Sequence, residues 1–333
     1  MRWIARLRGS LPFPTGWGLP VNVNGVDLVD FLGAMLATGL LRAVPLAVAA
    51  VGEAVAEQAG LLNLGIEGMM LSGAFFGFWV AHDTGSLALG MLAATGAGLA
   101  LGLLFGLLAI EMRLDQVLVG LAITIAGTGL TGFLFRDVFG GRNVAADVDP
   151  VRVSVPVLRD LPIVGEALFD QPLVVYLCWA VVPVGAWLLA STRFGLRVRA
   201  AGEAPAALDA AGVSVGWVRY RAILIGGGLA GLAGGFLCVA DVRIFTTGMT
   251  VGQGFIALAL AMVGGWRPWR IAAAALAFGL LRSLGDGLPI LGVEVRPELV
   301  GMLPYVGVMA ALVVLARRVR LPAALGVAFT RGR

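Results

Sequence analysis

Apolar residues fill this chain in long blocks, and polar residues gather in the gaps between them. Mostly apolar blocks run over about 29–52, 62–81, 86–110, 116–136, 172–190, 218–240, 254–266, 270–285 and 299–316. Most of them approach the roughly 20 residues that a helix needs to cross the hydrocarbon core of a bilayer. The pattern predicts an all-α fold, a polytopic integral membrane helical bundle of about 8–10 transmembrane helices over residues 29–316. The blocks at 254–266 and 270–285 are short and are separated by the polar run around Arg267 and Pro268. They either meet at a tight turn or are partly re-entrant. Residues 1–28 do not fit the pattern: Arg2, Arg6 and Arg8 interleave with Trp3, Ile4 and Leu7, and Pro12, Pro14 and Gly16 follow. A cleavable leader has an apolar stretch directly after its basic residues. Pro and Gly stand there instead, so the expectation is a retained arm lying on the surface.

Composition adds to this picture. Of 333 residues 59% are hydrophobic and only 13% charged, against about 25% charged in a typical soluble domain. Lipid is therefore the expected solvent. The chain has 49 glycines, and two sets of them recur every four residues: Gly98, Gly102 and Gly106, then Gly227, Gly231 and Gly235. Each set forms a smooth stripe on a helix, which allows a neighbouring helix to approach closely.

Charge orients the bundle and removes whole function classes. The 24 residues counted as Lys+Arg are all Arg. A phosphate-binding loop of the G-x-x-x-x-G-K-[ST] type needs a Lys, so the chain is not itself a P-loop ATPase. The single His82 and the two cysteines, Cys178 and Cys238, exclude a His/Cys zinc cluster and give no basis for a disulfide framework. No Ser/His/Asp set and no carboxylate pair with metal-ligand spacing stands out, so no catalytic residue and no metal site is assigned. The basic residues cluster in loops, the pattern of membrane orientation and not of nucleic-acid binding. The loop 193–221 holds Arg193, Arg197, Arg199, Arg219 and Arg221 against Glu203 and Asp209, which places it in the cytoplasm. Arg267 and Arg270, and Arg317, Arg318 and Arg320 in the tail 317–333, fall on the same side. The loop 137–171, with Asp137, Asp147, Asp149, Asp160, Glu166 and Asp170 against Arg142, Arg152 and Arg159, is placed outside. Counting back through nine spans puts the N-terminus outside, whereas Arg2, Arg6 and Arg8 favour the inside.

Two motifs carry candidate chemistry. The first runs from Glu57 to Met70 and links the first two spans. Its Asn63 and Glu67 are four apart and share a face if the stretch is helical. Two readings stay open. Asn63 caps the second span and Glu67 sits at its positive end, or both line a polar path through the bundle, as ionisable groups in membrane segments tend to do. Arg42, inside the first span, joins the path candidates, because an unpaired charge there would cost at least ~2.5 kcal/mol. An acidic group such as Glu67 would suit it. The second motif runs from Arg193 to Gly212. Pro205 suits the first turn of a helix and Gly212 the stop after it. The helix between them is about two turns long and marginal in water on its own. It is either a connector lying on its own bundle or a docking helix that receives force from a cytoplasmic partner.

At these motifs the sequence resembles a known family. Gly60-Leu61-Leu62-Asn63-Leu64-Gly65-Ile66-Glu67-Gly68-Met69-Met70-Leu71 with Gly73-Ala74 is similar to the hallmark of the permeases of bacterial nucleoside and simple-sugar ABC importers, relatives of the ribose permeases. Phe194-Gly195-Leu196-Arg197-Val198-Arg199-Ala200 with Gly202, Glu203, Pro205 and Ala211-Gly212-Val213 resembles their coupling segment, although the family usually has Asn where Ala204 stands. Further agreement lies at Asp115-Gln116-Val117, Ala230-Gly231-Leu232-Ala233-Gly234 and Gly252-Gln253-Gly254-Phe255, and the likeness covers about residues 35–316.

The resemblance implies a multi-pass protein of the bacterial plasma (inner) membrane and a transport subunit without enzymatic activity. It implies an ATP-binding cassette subunit that carries the ATP and Mg, a second permease forming a heterodimer with this chain, an extracytoplasmic substrate-binding protein and surrounding membrane lipid. Nothing points to nucleic acid or to a cofactor on this chain. Gly195, Arg197, Arg199, Gly202, Glu203, Pro205, Asp209 and Gly212 would couple to the ATPase. Asn63, Glu67 and Arg42 would be substrate-pathway candidates. The substrate class is nucleosides first and simple sugars second. The alternative is an ion-coupled secondary transporter or a channel subunit, which would use Glu67 and Arg42 as relay groups but leaves the 203–211 segment without a purpose.

Overall fold

The computed structural model of the chain describes residues 22–23, 26–142, 144–156, 158–159, 161–288, 297–315 and 320–330. The expected surface arm over 1–28 lies almost wholly outside the described residues.

Each apolar block forms a helix. After a two-residue hairpin, β1 (Asn22–Val23) with β2 (Val26–Asp27), come α1 (Leu28–Gln58), α2 (Ile66–Thr84), α3 (Leu87–Gly106) and α4 (Gln116–Phe139). The last turns of the α3 pass widen into a π-helix over Leu107–Glu111. A surface segment follows, with β3 (Arg152–Ser154) paired antiparallel to β4 (Asp170–Pro172) and a short α5 (Gly165–Phe169) between them. Two helices, α6 (Leu173–Trp179) and α7 (Val181–Ser191), make one bent pass, and Pro183 lies in the first turn of the second. Then come α8 (Arg193–Glu203), α9 (Pro205–Ala210) and α10 (Val215–Gly235), which runs on as a π-helix over Phe236–Val242. The chain closes with α11 (Gln253–Val263), α12 (Pro268–Gly287) and α13 (Pro297–Leu315). Five of these passes are individually long and apolar enough to cross a membrane.

Helix α1 is the axis of the bundle. It packs on α10, α11 and α12, and residues 43–57 are all buried. A soluble helix shows one apolar stripe; α1 is apolar nearly all round, as suits an element surrounded by protein in lipid. The two glycine stripes meet each other. A methyl group on Gly98 of α3 would lie 2.8 Å from Gly231 Cα of α10, and one on Gly227 would lie 3.1 Å from Gly102 Cα. Gly106 receives the ring of Tyr220 in the same way, at 2.6 Å. In lipid no hydrophobic force drives helices together, so this backbone-to-backbone approach supplies the dispersion contacts.

The two ends of the bundle differ in charge. One carries α8, α9 and the α11–α12 turn, with Arg193, Arg197, Arg199, Arg221, Arg267 and Arg270; the other carries residues 144–156, 158–159 and 161–172, with Asp147, Asp149 and Asp170 against Arg152 and Arg159. The start of α1 lies at this acidic end, since a methyl on Gly33 would be 3.4 Å from the Ile163 carbonyl oxygen. Its last turn lies at the basic end, where Gln58 Nε2 donates to the Trp266 carbonyl at 2.8 Å. The start and the end of α1 thus lie at opposite ends of the bundle.

Candidate functional site

The short apolar blocks meet at a tight turn, and the first of them is the helical half of a broken pass that runs from one end of the bundle to the other. Helix α11 has 11 residues, about 16 Å, half of what about 30 Å of hydrocarbon requires. The rest of the pass is the irregular segment 243–252. It leaves α10 at the acidic end, where the Ala146 N–H donates to the Arg243 carbonyl at 2.9 Å. It then descends along α2. Phe245 packs on Phe75, Phe78 and Phe135, with ring centroids 5.2, 6.2 and 5.2 Å away. Five residues later Thr250 reaches Glu67, in the first turn of α2. Helix α11 thus starts inside the bundle, and non-helical backbone at that depth is tolerated only where protein or a cavity surrounds it.

Glu67 holds this start. One carboxylate oxygen, Oε1, accepts from Thr250 Oγ1 at 2.5 Å and from the Gly252 N–H at 2.9 Å, while Oε2 accepts from the Gly254 N–H at 2.7 Å. Gly252 is the N-cap of α11, and no side chain of α11 itself caps it. The carboxylate of one helix therefore caps the broken end of another and sits at its positive pole. Gly254 must be glycine, since a methyl there would lie 2.7 Å from Glu67 Cα.

Asn63 serves a different network. It lies in the irregular link before α2 and not on a helical face with Glu67, and Gly65 is the N-cap of α2. Asn63 Oδ1 accepts from the Gly65 N–H at 3.1 Å, which turns the chain locally in place of a helix. Its amide and backbone N–H point to Glu53 of α1, each at 3.4 Å. Glu53 and Glu57 are both fully buried on α1. Glu57 accepts from the indole N–H of Trp266 in the α11–α12 turn, and its other oxygen is buried without a partner. Gln116, at the start of α4, is buried too and accepts from the Leu62 N–H at 2.8 Å. A buried polar seam thus ties the α1–α2 link to α1, α4 and the α11–α12 turn.

Arg42 pairs with Asp286, while the Glu67 carboxylate is taken up by Thr250, Gly252 and Gly254. The Arg42 Nη2 meets Asp286 of α12 at 2.8 Å. Arg42 and Asp286 are 31% and 55% exposed on the surface of this chain.

At the basic end α8 buries Gly195, Val198, Ala201 and Gly202 and exposes Arg197, Arg199 and Glu203. Thr192 caps it through the Gly195 N–H at 3.0 Å. Pro205 opens α9, which buries Leu208 and exposes Ala206, Ala207 and Ala210; Gly212 ends it with φ +78°, in keeping with its position after the helix. A cleft of about 330 Å³ between α9, the start of α10 and the end of the α3 pass is lined by Glu111, Arg113, Asp209, Ser214 and Arg219.

Sequence reasoning missed Glu53, Thr250, Trp266 and Arg219. Arg219 read as one of several loop arginines, yet it is 3% exposed. Only the i, i+4 spacing of Glu53 and Glu57 at the edge of an apolar block gave a signal. His82, which gave no signal beyond being the single histidine, stacks on Phe78 with centroids 5.9 Å apart.

A helical membrane bundle with a half-helix at its centre and an amphipathic helix pair at one end is the frame of a transport subunit. A family model described as the permease component of branched-chain amino acid transport systems matches residues 35–315. A putative glucose ABC transporter permease of Haloferax volcanii is 36% identical over 307 residues, 85% of this chain and 92% of that protein. The guanosine ABC transporter permease NupQ of Bacillus subtilis is 34% identical over 319 residues, 92% of this chain and 100% of the relative. The nucleoside ABC transporter permease NupC of Lactococcus lactis is 30% identical over 317 residues, with the same shares. No solved structure matches the chain significantly. The chain belongs to this permease family: it is a multi-pass membrane transport subunit and not an enzyme.

Proposed function

We propose that this chain is the translocating permease of an ATP-driven importer for nucleosides, with simple sugars as the second substrate class. Two of the three relatives, both matched over their full length, are named for guanosine or nucleoside transport. The basic end then faces the cytoplasm and the acidic end the outside, consistent with the positive-inside rule. In bacteria the host membrane is the inner membrane. A separate cassette subunit binds and hydrolyses ATP with Mg, an extracytoplasmic protein delivers the substrate, and a second, different permease completes the pathway.

The observation that carries this reading is the surface of α8 and α9. Arg197, Arg199 and Glu203 stand exposed beside the bare alanine face of α9, while Gly195 and Gly202 let α8 lie close against α7 and the end of α1, and Pro205 and Gly212 bound α9. Two helices this short persist because their other faces pack on α1, α7 and α10. That is the form expected of a docking element. Asp209, which also lines the cleft beside α9, belongs to the same surface. ATP-driven closure of the partner would move α9, and the bundle would open alternately to its two ends. Arg42, in its charged and partly exposed setting, is the pathway group. Glu67 and Asn63 keep the broken helix and the α1–α2 link in place beside the pathway.

The test is to purify the tagged chain gently from its native membrane, identify what accompanies it, and reconstitute the complex in liposomes with the binding protein supplied at the acidic face. Uptake of labelled guanosine or glucose that needs hydrolysable ATP supports the proposal. Purification of the chain alone in a mild amphiphile, with uptake driven by an ion gradient, refutes it.

A further inference from the structure

We propose that the C-terminal segment 320–330, together with Arg219, is a strap that transmits movement of the coupling helices to the start of the α1–α2 link; this rests on the reading of the chain as an ATP-driven permease. The sequence presents that segment only as a positively charged tail. In the fold it returns to the bundle and bonds three separate elements. The Ala324 N–H donates to the carbonyl of Gly202, near the end of α8, at 2.8 Å. The Gly326 N–H donates to the carbonyl of Gly60, in the α1–α2 link, at 3.1 Å. The Val327 carbonyl accepts from Nη1 of Arg219, in the first turns of α10, at 2.8 Å. The same guanidinium donates through Nε to the Ala59 carbonyl at 3.1 Å.

These bonds converge on Gly60. Its φ is +85°, and a methyl group there would lie 2.8 Å from Arg219 Nη2, 2.9 Å from the Ala324 carbonyl oxygen and 3.5 Å from that of Ala201. The end of α8, the first turns of α10, the tail and the α1–α2 link thus meet at one residue that has room for nothing larger. Phe329 of the tail packs on the apolar cluster that holds Val55 of α1, Val198 of α8, Leu208 of α9 and Val218 of α10. Arg219 is buried with one nitrogen unpaired, and the desolvation of a buried guanidinium is repaid only by well-placed acceptors. Two of its acceptors are the carbonyls of Ala59 and Val327, one in the link and one in the strap.

The consequence is mechanical. Glu57, three residues before Gly60, accepts from Trp266 of the α11–α12 turn, and Asn63, three residues after it, leans on Glu53. A displacement of α8 and α9 therefore reaches both α1 and the base of the half-helix α11 through one short rigid node. With the strap removed, α8 would remain docked through its apolar face, yet its hydrogen bond to the strap would be gone.

The experiment uses the assembled importer in liposomes, with transported substrate and hydrolysed ATP measured together. Two variants serve: a chain ending at Val319, and Ala324→Pro, which removes the N–H that reaches Gly202 while keeping the rest of the tail sequence. The expected result is a complex of unchanged subunit stoichiometry, ATP hydrolysis within about twofold of wild type, and at least tenfold less substrate moved per ATP. Unchanged substrate per ATP in both variants overturns the strap while leaving the importer reading intact. Loss of the ATP-binding partner from both purified complexes also overturns it, because the tail would then serve assembly and not transmission. A wild-type complex without ATP-dependent uptake sinks the importer reading itself, whatever the variants do.

Discussion

Replacing Glu67 with Gln removes a charge and turns one acceptor into a donor, and the geometry sets the cost. The carboxylate accepts three hydrogen bonds through both oxygens. An amide has one oxygen. With that oxygen at the Oε1 position, Thr250 and Gly252 are still served, and the NH₂ faces the Gly254 N–H. With the amide turned, Gly254 is served, and the NH₂ faces the Gly252 N–H. Either way a buried donor loses its acceptor, which costs about 1–3 kcal/mol. The negative charge at the start of α11 is also lost, worth about 0.3–1 kcal/mol at a helix end. The sum is about 1.3–4 kcal/mol. At about 2 °C per kcal/mol for a large chain, the purified complex should melt about 3–8 °C lower. Amide exchange at Gly252 and Gly254 should rise, because in each orientation of the amide one of the two donors is left without its acceptor. Glu67→Asp should fall between, since it keeps the charge and shortens the reach. Wild-type melting and unchanged exchange in Glu67→Gln would refute the capping argument, and Glu67 would return to a pathway role.

Three further perturbations test other parts of the bundle. Gly98→Val should cost about 1–3 kcal/mol through forced separation of α3 and α10; Gly96→Val, at a position with nothing within 4 Å, should melt like wild type. Equal melting of the two would show that the glycine stripes do not set the packing. Reversing the pair with Arg42→Asp and Asp286→Arg should restore part of the uptake that each single change removes, with a coupling energy of about 0.2–1 kcal/mol for a partly exposed pair; additive losses in the double-mutant cycle would break the pairing. Glu203→Arg places a fifth charge of one sign beside Arg193, Arg197, Arg199 and Arg221, all on the basic end, and should lower ATP-dependent uptake several-fold without loss of the helical signal in circular dichroism. Undiminished uptake would remove Glu203 from the docking surface.

How far the sequence could be read depends on the distance over which each feature is decided. Every apolar block forms a helix, because burial in lipid leaves the backbone no partner but itself. The glycine stripes were visible because they too are local, and so were the Pro205 start and Gly212 stop of α9. The boundaries at the first link were not. Glu53 and Glu57 look like the polar end of a span, yet α1 continues to Gln58, since Trp266 and Asn63 bond them from elsewhere in the chain. The partner of Glu67 stands 183 residues away and that of Arg219, at Ala59, 160 residues away. No local pattern encodes such a pairing. Glu53, Glu57, Asn63 and Arg219, which the sequence places at span ends and loops, are buried at the basic end, whereas Arg197, Arg199 and Glu203 near them are exposed. An apolar span can be replaced by another of like volume with little consequence. Glu67, Glu57, Asn63 and Arg219 have no such substitutes, since each satisfies groups that the broken helix, the α11–α12 turn and the α1–α2 link leave open. A permease must break its helices to open a path, and the buried charges of this chain stand where those breaks need partners.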